Sequence, residues 1–143
     1  MSVAVDLMDG VAGLLAAAGL GTFPVDDIAT VPDPITLRKA PAAPDRLITV
    51  SHYPITGGGW TTDTEEGIQV RCRTPGEDLR ATDELADAIR AALDGHEHAQ
   101  MGATHVSLIA WQSGASLGQD DAERWEHTQN FHLITARPRA ATD

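Results

Sequence analysis

Cysteine is nearly absent from this sequence, and so are aromatics. Cys72 stands alone, and three Trp, two Phe and one Tyr make up 4% of the chain. A single thiol excludes an internal disulfide and fits a reducing compartment. With so few rings the core has to be built from Ala, Leu, Ile and Val, which leaves partner surfaces room to complete it. Basic residues are scarce as well: 10 Lys plus Arg against 21 Asp plus Glu give a net charge of −11. A surface that grips phosphates needs the opposite balance, so a nucleic-acid reader is not expected. A wall past which DNA slides fits this charge, because like charges repel. No apolar run approaches the ~18 residues of a membrane-spanning helix. The opening MSVAVDLMDGVAGLLAAAGLG ends in small residues, as a signal peptide does. Its first charges are Asp6 and Asp9, where a signal peptide carries Lys or Arg, so it reads as a folded helix of a cytosolic protein.

Signatures of catalysis and cofactor binding are missing too. Gly57, Gly58 and Gly59 lack the Lys-Ser/Thr ending and the following helix of a phosphate loop. ITGGGWTTDTEE (55–66) therefore reads as a surface loop. Trp60 within it either faces a partner or folds back on its own sheet. His96, Glu97 and His98, with His105 nearby, form the one metal-like cluster. Two imidazoles do not make a zinc site, which takes three or four ligands in defined geometry, so the segment reads as a polar linker and no metal or cofactor is expected. His52, His127 and His132 fall in strands and read as satisfied surface or interface residues. Ser51 and Ser107 have no nucleophile-elbow setting. Cys72 lies in phase with Ile68 and Val70 and reads as a small core residue. The adjacent carboxylates Asp26-Asp27, Glu65-Glu66 and Asp120-Asp121 read as solvated loop pairs. An enzyme is not expected.

What is present is a strand–helix–hairpin unit from Glu66 to Arg137. In EGIQVRCRT, Ile68, Val70 and Cys72 alternate with Gln69, Arg71 and Arg73, the period of a strand buried on one face. In LRATDELADAIRAALDG, Leu85, Ile89, Ala92 and Leu93 form one helical stripe. Asp78 or Thr82 is positioned to cap that helix, and Gly95 to end it. Two long strands, HVSLIAWQSGASLG and ERWEHTQNFHLITAR, follow and turn at Gln119, Asp120, Asp121 and Ala122. The second, from about Glu123 to Arg137, is long enough to project beyond the sheet.

Upstream, residues 3–18 carry Val3, Leu7, Val11, Leu14, Leu15 and Ala18 at near-helical spacing, with Ser2 as N-cap. Pro32 and Pro34 bar a helix from the next segment. ITLRKA and RLITVSHYP then read as two strands able to pair as a hairpin. The expectation is one domain over 1–143, with a helix at about 3–18, a core at about 36–137 and a frayed tail at 138–143. Its fold class is α+β: a mainly antiparallel sheet of about four to five strands with two helices packed on it.

The residues 47–138 resemble the tail terminator (tail-completion) proteins of long-tailed phages of actinobacteria. The resemblance rests on EGIQVRCRT, the helix ATDELADAIRAALDG, the hairpin HVSLIAWQSGASLGQDDAERWEHTQNFHLITARP with its Gly-x-Asp turn, and VSHYPITGGG before them. It implies a tail-terminator-like fold and a structural virion protein. Such a protein is assembled in the host cytoplasm and located at the tail–head junction. There it forms a ring, typically a hexamer, that caps the tail tube protein and meets the head–tail connector protein. DNA would pass through the lumen without specific binding, and no membrane is involved. Interface positions on this reading are Trp60, Trp111, Trp125 and the hairpin end 113–124, including Gln119, Asp120 and Asp121. A head-closure or neck connector protein of the same particle is the alternative, ahead of a small metal-binding or enzymatic domain.

Overall fold

A computed structural model describes residues 2–55 and 63–136. In chain order the elements are α1 (Val3–Ala17), β1 (Ile35–Leu37), β2 (Leu47–Pro54), β3 (Asp63–Thr74), α2 (Leu79–Leu93), β4 (Glu97–Met101), β5 (Thr104–Gln119) and β6 (Trp125–Ala136). The strands form one six-stranded sheet in the order β1-β2-β3-β6-β5-β4. β1 is parallel to β2, and every other pairing is antiparallel.

The two helices begin where the sequence places caps. The Ser2 hydroxyl accepts from Val5 N, and the Asp78 carboxylate accepts from Arg80 N. Thr82, the other candidate cap, is buried, and its hydroxyl shares a hydrogen bond with that of Thr74. Gly19 and Gly95 follow the two helices with φ of +80° and +81°, the left-handed conformation that favours glycine. Leu7, Val11 and Leu15 of α1 and Leu85, Ile89 and Leu93 of α2 share one buried cluster with Ile48, Val50, Ile68, Val70, Cys72, Phe131 and Leu133 of the sheet. Aliphatic side chains dominate this core, and among the described residues Phe131 is its one fully buried ring. The opposite face of the central strands is polar. Thr36 bonds Thr49, Gln69 bonds Asn130, and Arg71 pairs with Glu126 there.

Three expectations are corrected. The sheet has six strands instead of four to five, because His96–Thr104, read as a polar linker, contains β4. That strand is mostly exposed and pairs with β5 alone, so its sequence carries almost no buried alternation. β1 and β2 do not form a hairpin. β1 spans only three residues, roughly 10 Å, so the Pro-rich connector 38–46 doubles back along it and β2 sets off in the same direction. Finally, the β5–β6 hairpin does not project beyond the sheet. β3 accompanies β6 from Asp63↔Ala136 to Thr74↔Trp125, so the hairpin end stays level with its neighbour.

Gly10 has a packing role that helix propensity hides. A Cβ at Gly10 would collide with the Met101 side chain at the end of β4, whereas one at Gly13 would meet nothing within 4 Å. The absent side chain lets α1 lie close against the β4–β5 turn, where Asp6 also accepts from Ala103 N at 3.2 Å. Gly13→Ala is therefore expected to raise unfolding free energy by up to about 1 kcal/mol, the usual helical gain. Gly10→Ala is expected to lose that gain and cost about 1–2 kcal/mol through overpacking. Urea titrations of the two variants check the pair.

Candidate assembly surface

β5 leaves part of one edge uncovered although it is not an outer strand. β4 pairs with it only over Thr104–Leu108. The C-terminus of α2 covers the next stretch: Gly95 N donates to Ile109 O, Ile109 N to His96 O, and Trp111 N to the Asp94 carboxylate at 2.9 Å. From Gln112 to Leu117 every residue is exposed. Register against β6 slips between Val106 and Leu108, between Trp111 and Ser113, and between Ser116 and Gly118. Each slip is a bulge that leaves one β5 residue unpaired and bends the strand. The third ejects Leu117, which is 48% exposed amid small and polar neighbours.

The far end of the hairpin is braced. The Asp120 carboxylate accepts from Ala122 N and Arg124 N and pairs with the Arg124 guanidinium at 2.9 Å. The Arg124 backbone N–H is the first of the bonds that hold the Asp120 carboxyl below the usual carboxylate range. Arg124 also reaches Asp45 and the Ala42 carbonyl on the 38–46 connector. Buried Arg73 grips the same connector, donating to the carbonyls of Pro41, Pro44 and Asp45 at 2.7–3.0 Å. Two arginines thus fix a Pro-rich segment against the hairpin end. Neither role is legible in sequence, where Arg73 is one polar residue of an alternating strand.

The expected interface residues occupy different settings. Trp111 is half-buried on the core, with its Nε1 donating to Gln129 Oε1 at 2.8 Å and the Arg90 guanidinium 3.6 Å from its ring centre. Trp125 is half-buried and donates to Gly76 O at 3.2 Å. Gln119 donates to Glu123 O, and Asp120 holds the turn as described. Asp121 is exposed. Trp60 lies outside the described residues. The hairpin turn itself, from Asp120 to Arg124, falls where the sequence puts it.

Among the described residues, no three His, Cys, Asp or Glu side chains come together as a metal site. His98 and His105 stack with ring centres 5.7 Å apart on the β4–β5 hairpin. His52, His132 and His127 each face a carboxylate: Glu66 at 2.7 Å, Glu65 at 3.3 Å and Asp83 at 3.9 Å. Cys72 is buried, and desolvation pushes its thiol up to about 12, which keeps it protonated and unreactive. A shallow polar depression of about 290 Å³ lies on the helix-free face between Tyr53, Gln69, Ser113, Asn130 and His132. A second, mainly apolar groove of about 420 Å³ follows β1 at the other sheet edge.

A family model described as bacteriophage tail terminator protein matches residues 14–137. The chain belongs to that family. It is a structural tail protein family, not an enzymatic one. A solved chain from the virion of a native gene transfer agent particle shares the fold with a TM-score of 0.63 at 14% identity, over 93% of this chain and 95% of that one. A second solved chain aligns with a TM-score of 0.51 at 14% identity, over 75% of this terminator-family chain and 81% of its own length. No curated protein matches significantly.

Two expected outcomes test the braced hairpin. Asp120→Ala should speed hydrogen exchange at the Ala122 and Arg124 amides while leaving β3 amides protected; unchanged exchange would mean the carboxylate does not hold the turn. Arg73→Met should lower unfolding free energy by roughly 2–4 kcal/mol, because three carbonyls lose a charged donor. A chemical-denaturation midpoint within error of the parent would contradict this.

Proposed function

We propose that this chain is the tail terminator of its particle: a ring of copies, six by analogy with the family, that caps the completed tail tube and receives the head connector on its other side. The match to the tail terminator family over residues 14–137 carries this reading. The surface is compatible with it. β5 offers an uncovered edge with one ejected leucine, and the opposite sheet edge offers an apolar groove, the two unlike surfaces that a head-to-tail ring uses. Copies that close into a ring consume such edges, whereas open stacking would leave them available.

The chain's charge suits the passage of DNA. Asp83, Glu84 and Asp87 are exposed on α2, and the net charge is −11. A lumen lined by such a surface repels phosphate and lets the duplex move without binding. On this reading the protein needs no cofactor and works by capping a growing polymer end.

Tube assembly in vitro provides the test. Added at far below the tube protein's concentration, the chain should stop elongation and yield short, uniformly capped tubes by electron microscopy, with density at one end only. Tubes of unchanged length would overturn the reading, and binding to the portal or adaptor proteins alone would assign the chain to head closure. Affinity for duplex DNA should stay undetectable at physiological salt; a salt-sensitive complex would contradict the repelling lumen.

A further inference from the structure

The cations of this acidic chain are almost all engaged internally. Arg46 pairs with Asp33, Arg71 with Glu126, Arg80 with Asp78, and Arg124 with Asp120 and Asp45. Arg73 is spent on backbone carbonyls, and Arg90 lies over Trp111. Among the described residues, the side chains of Arg38 and Lys39 alone have no carboxylate, carbonyl or ring partner, and both residues are exposed. They stand at the end of β1, beside the groove of about 420 Å³ whose apolar lining includes Phe23, Val25, Ile28 and Ile35. At the other edge of the sheet, the unpaired stretch of β5 carries exposed Leu117, with the exposed carboxylate of Asp94 at its start.

The register places these two edges at the same height. Ile35 lies on the rung that runs through Ile48, Cys72 and His127 to Ser116. Leu37 lies on the rung that runs through Val50, Val70 and Gln129 to Gly114. β5 also runs opposite to β1. A second copy docked edge to edge can therefore bring its β5 antiparallel to β1, with Ser116 opposite Ile35 and Gly114 opposite Leu37. Its Leu117, one residue past the Ser116 rung, then meets the end of the groove walled by the 23–28 loop, which Thr22 ties to Pro34. Its Asp94, which accepts from Trp111 N two rungs beyond Gly114, falls toward Arg38 and Lys39.

We propose that the groove along β1 is the seat for Leu117 of a second copy of this chain. Arg38 and Lys39 face that copy's Asp94, and the contact is the head-to-tail joint of the ring. The inference rests on the terminator reading and adds the residues that close the ring. Apolar lining meets the one large apolar side chain on the free edge, and the two unengaged cations meet a carboxylate at the matching height.

Two single variants, Leu117→Cys and Ile28→Cys, test the joint under mild oxidation with tube protein present. Native Cys72 is buried and does not compete. A 1:1 mixture should give a covalent dimer that neither variant gives alone. Lys39→Glu should weaken ring formation in light scattering by tenfold or more, and adding Asp94→Lys should restore most of it. Disulfides within Leu117→Cys alone would mean a twofold contact and overturn the joint. Parent rings that form without any mixed dimer would overturn the joint while leaving the terminator reading intact. A parent chain that neither associates nor caps tubes would overturn both.

Discussion

The uninterrupted pairing of β3 with β6 is the constraint on which the other elements depend. Twelve rungs run without a slip from Asp63↔Ala136 to Thr74↔Trp125. Alternation along this ladder sends Ile68, Val70, Cys72, Phe131 and Leu133 toward the helices and leaves Gln69, Arg71 and Asn130 on the other side. A slip of one residue would exchange those two sets, so the register is fixed by burial itself. α2 lies across the two strands, with Gln129 reaching into it to donate to Ala86 O at 3.0 Å. α1 then fills the space beside α2, over β1 and β2 and against the β4–β5 turn.

Around that ladder the two flanks differ. On the β2–β1 side, a short parallel strand and a Pro-rich connector are held by arginines that donate to backbone carbonyls. Such donors satisfy a segment that has no ladder of its own. On the β5–β4 side, backbone hydrogen bonding runs out near Trp111, and the remaining edge is left to solvent or to another chain. The unlike flanks give the subunit a direction, which a head-to-tail assembly requires.

The sequence made the period-based features legible and concealed the long-range ones. The stripe of Leu85, Ile89 and Leu93, the alternation through Ile68 and Cys72, the Asp78 cap and the turn at Asp120 all rest on local chemistry, and each stands where it was read. β4 was hidden because a mostly exposed strand with His98 at φ +54° leaves no alternation to read. The parallel pairing of β1 was hidden because two short strands separated by prolines carry no mark of direction. For the candidate surface, the three tryptophans drew attention as large interface-type residues, yet Trp111 and Trp125 spend their indole N–H groups inside the chain. Leu117 gave no signal, since its exposure comes from a bulge that depends on β6. Arg38 and Lys39 became distinct only once every other described cation had been matched to a partner.

The three slips along β5 put more backbone into that strand than into the β6 segment beside it. The surplus has to go somewhere, so the strand bows, and its outer rim follows an arc instead of a straight line. A flat strand from a stray chain would meet such a rim over a few residues and then part from it. A partner whose own edge bends to the same radius would stay in contact along the arc.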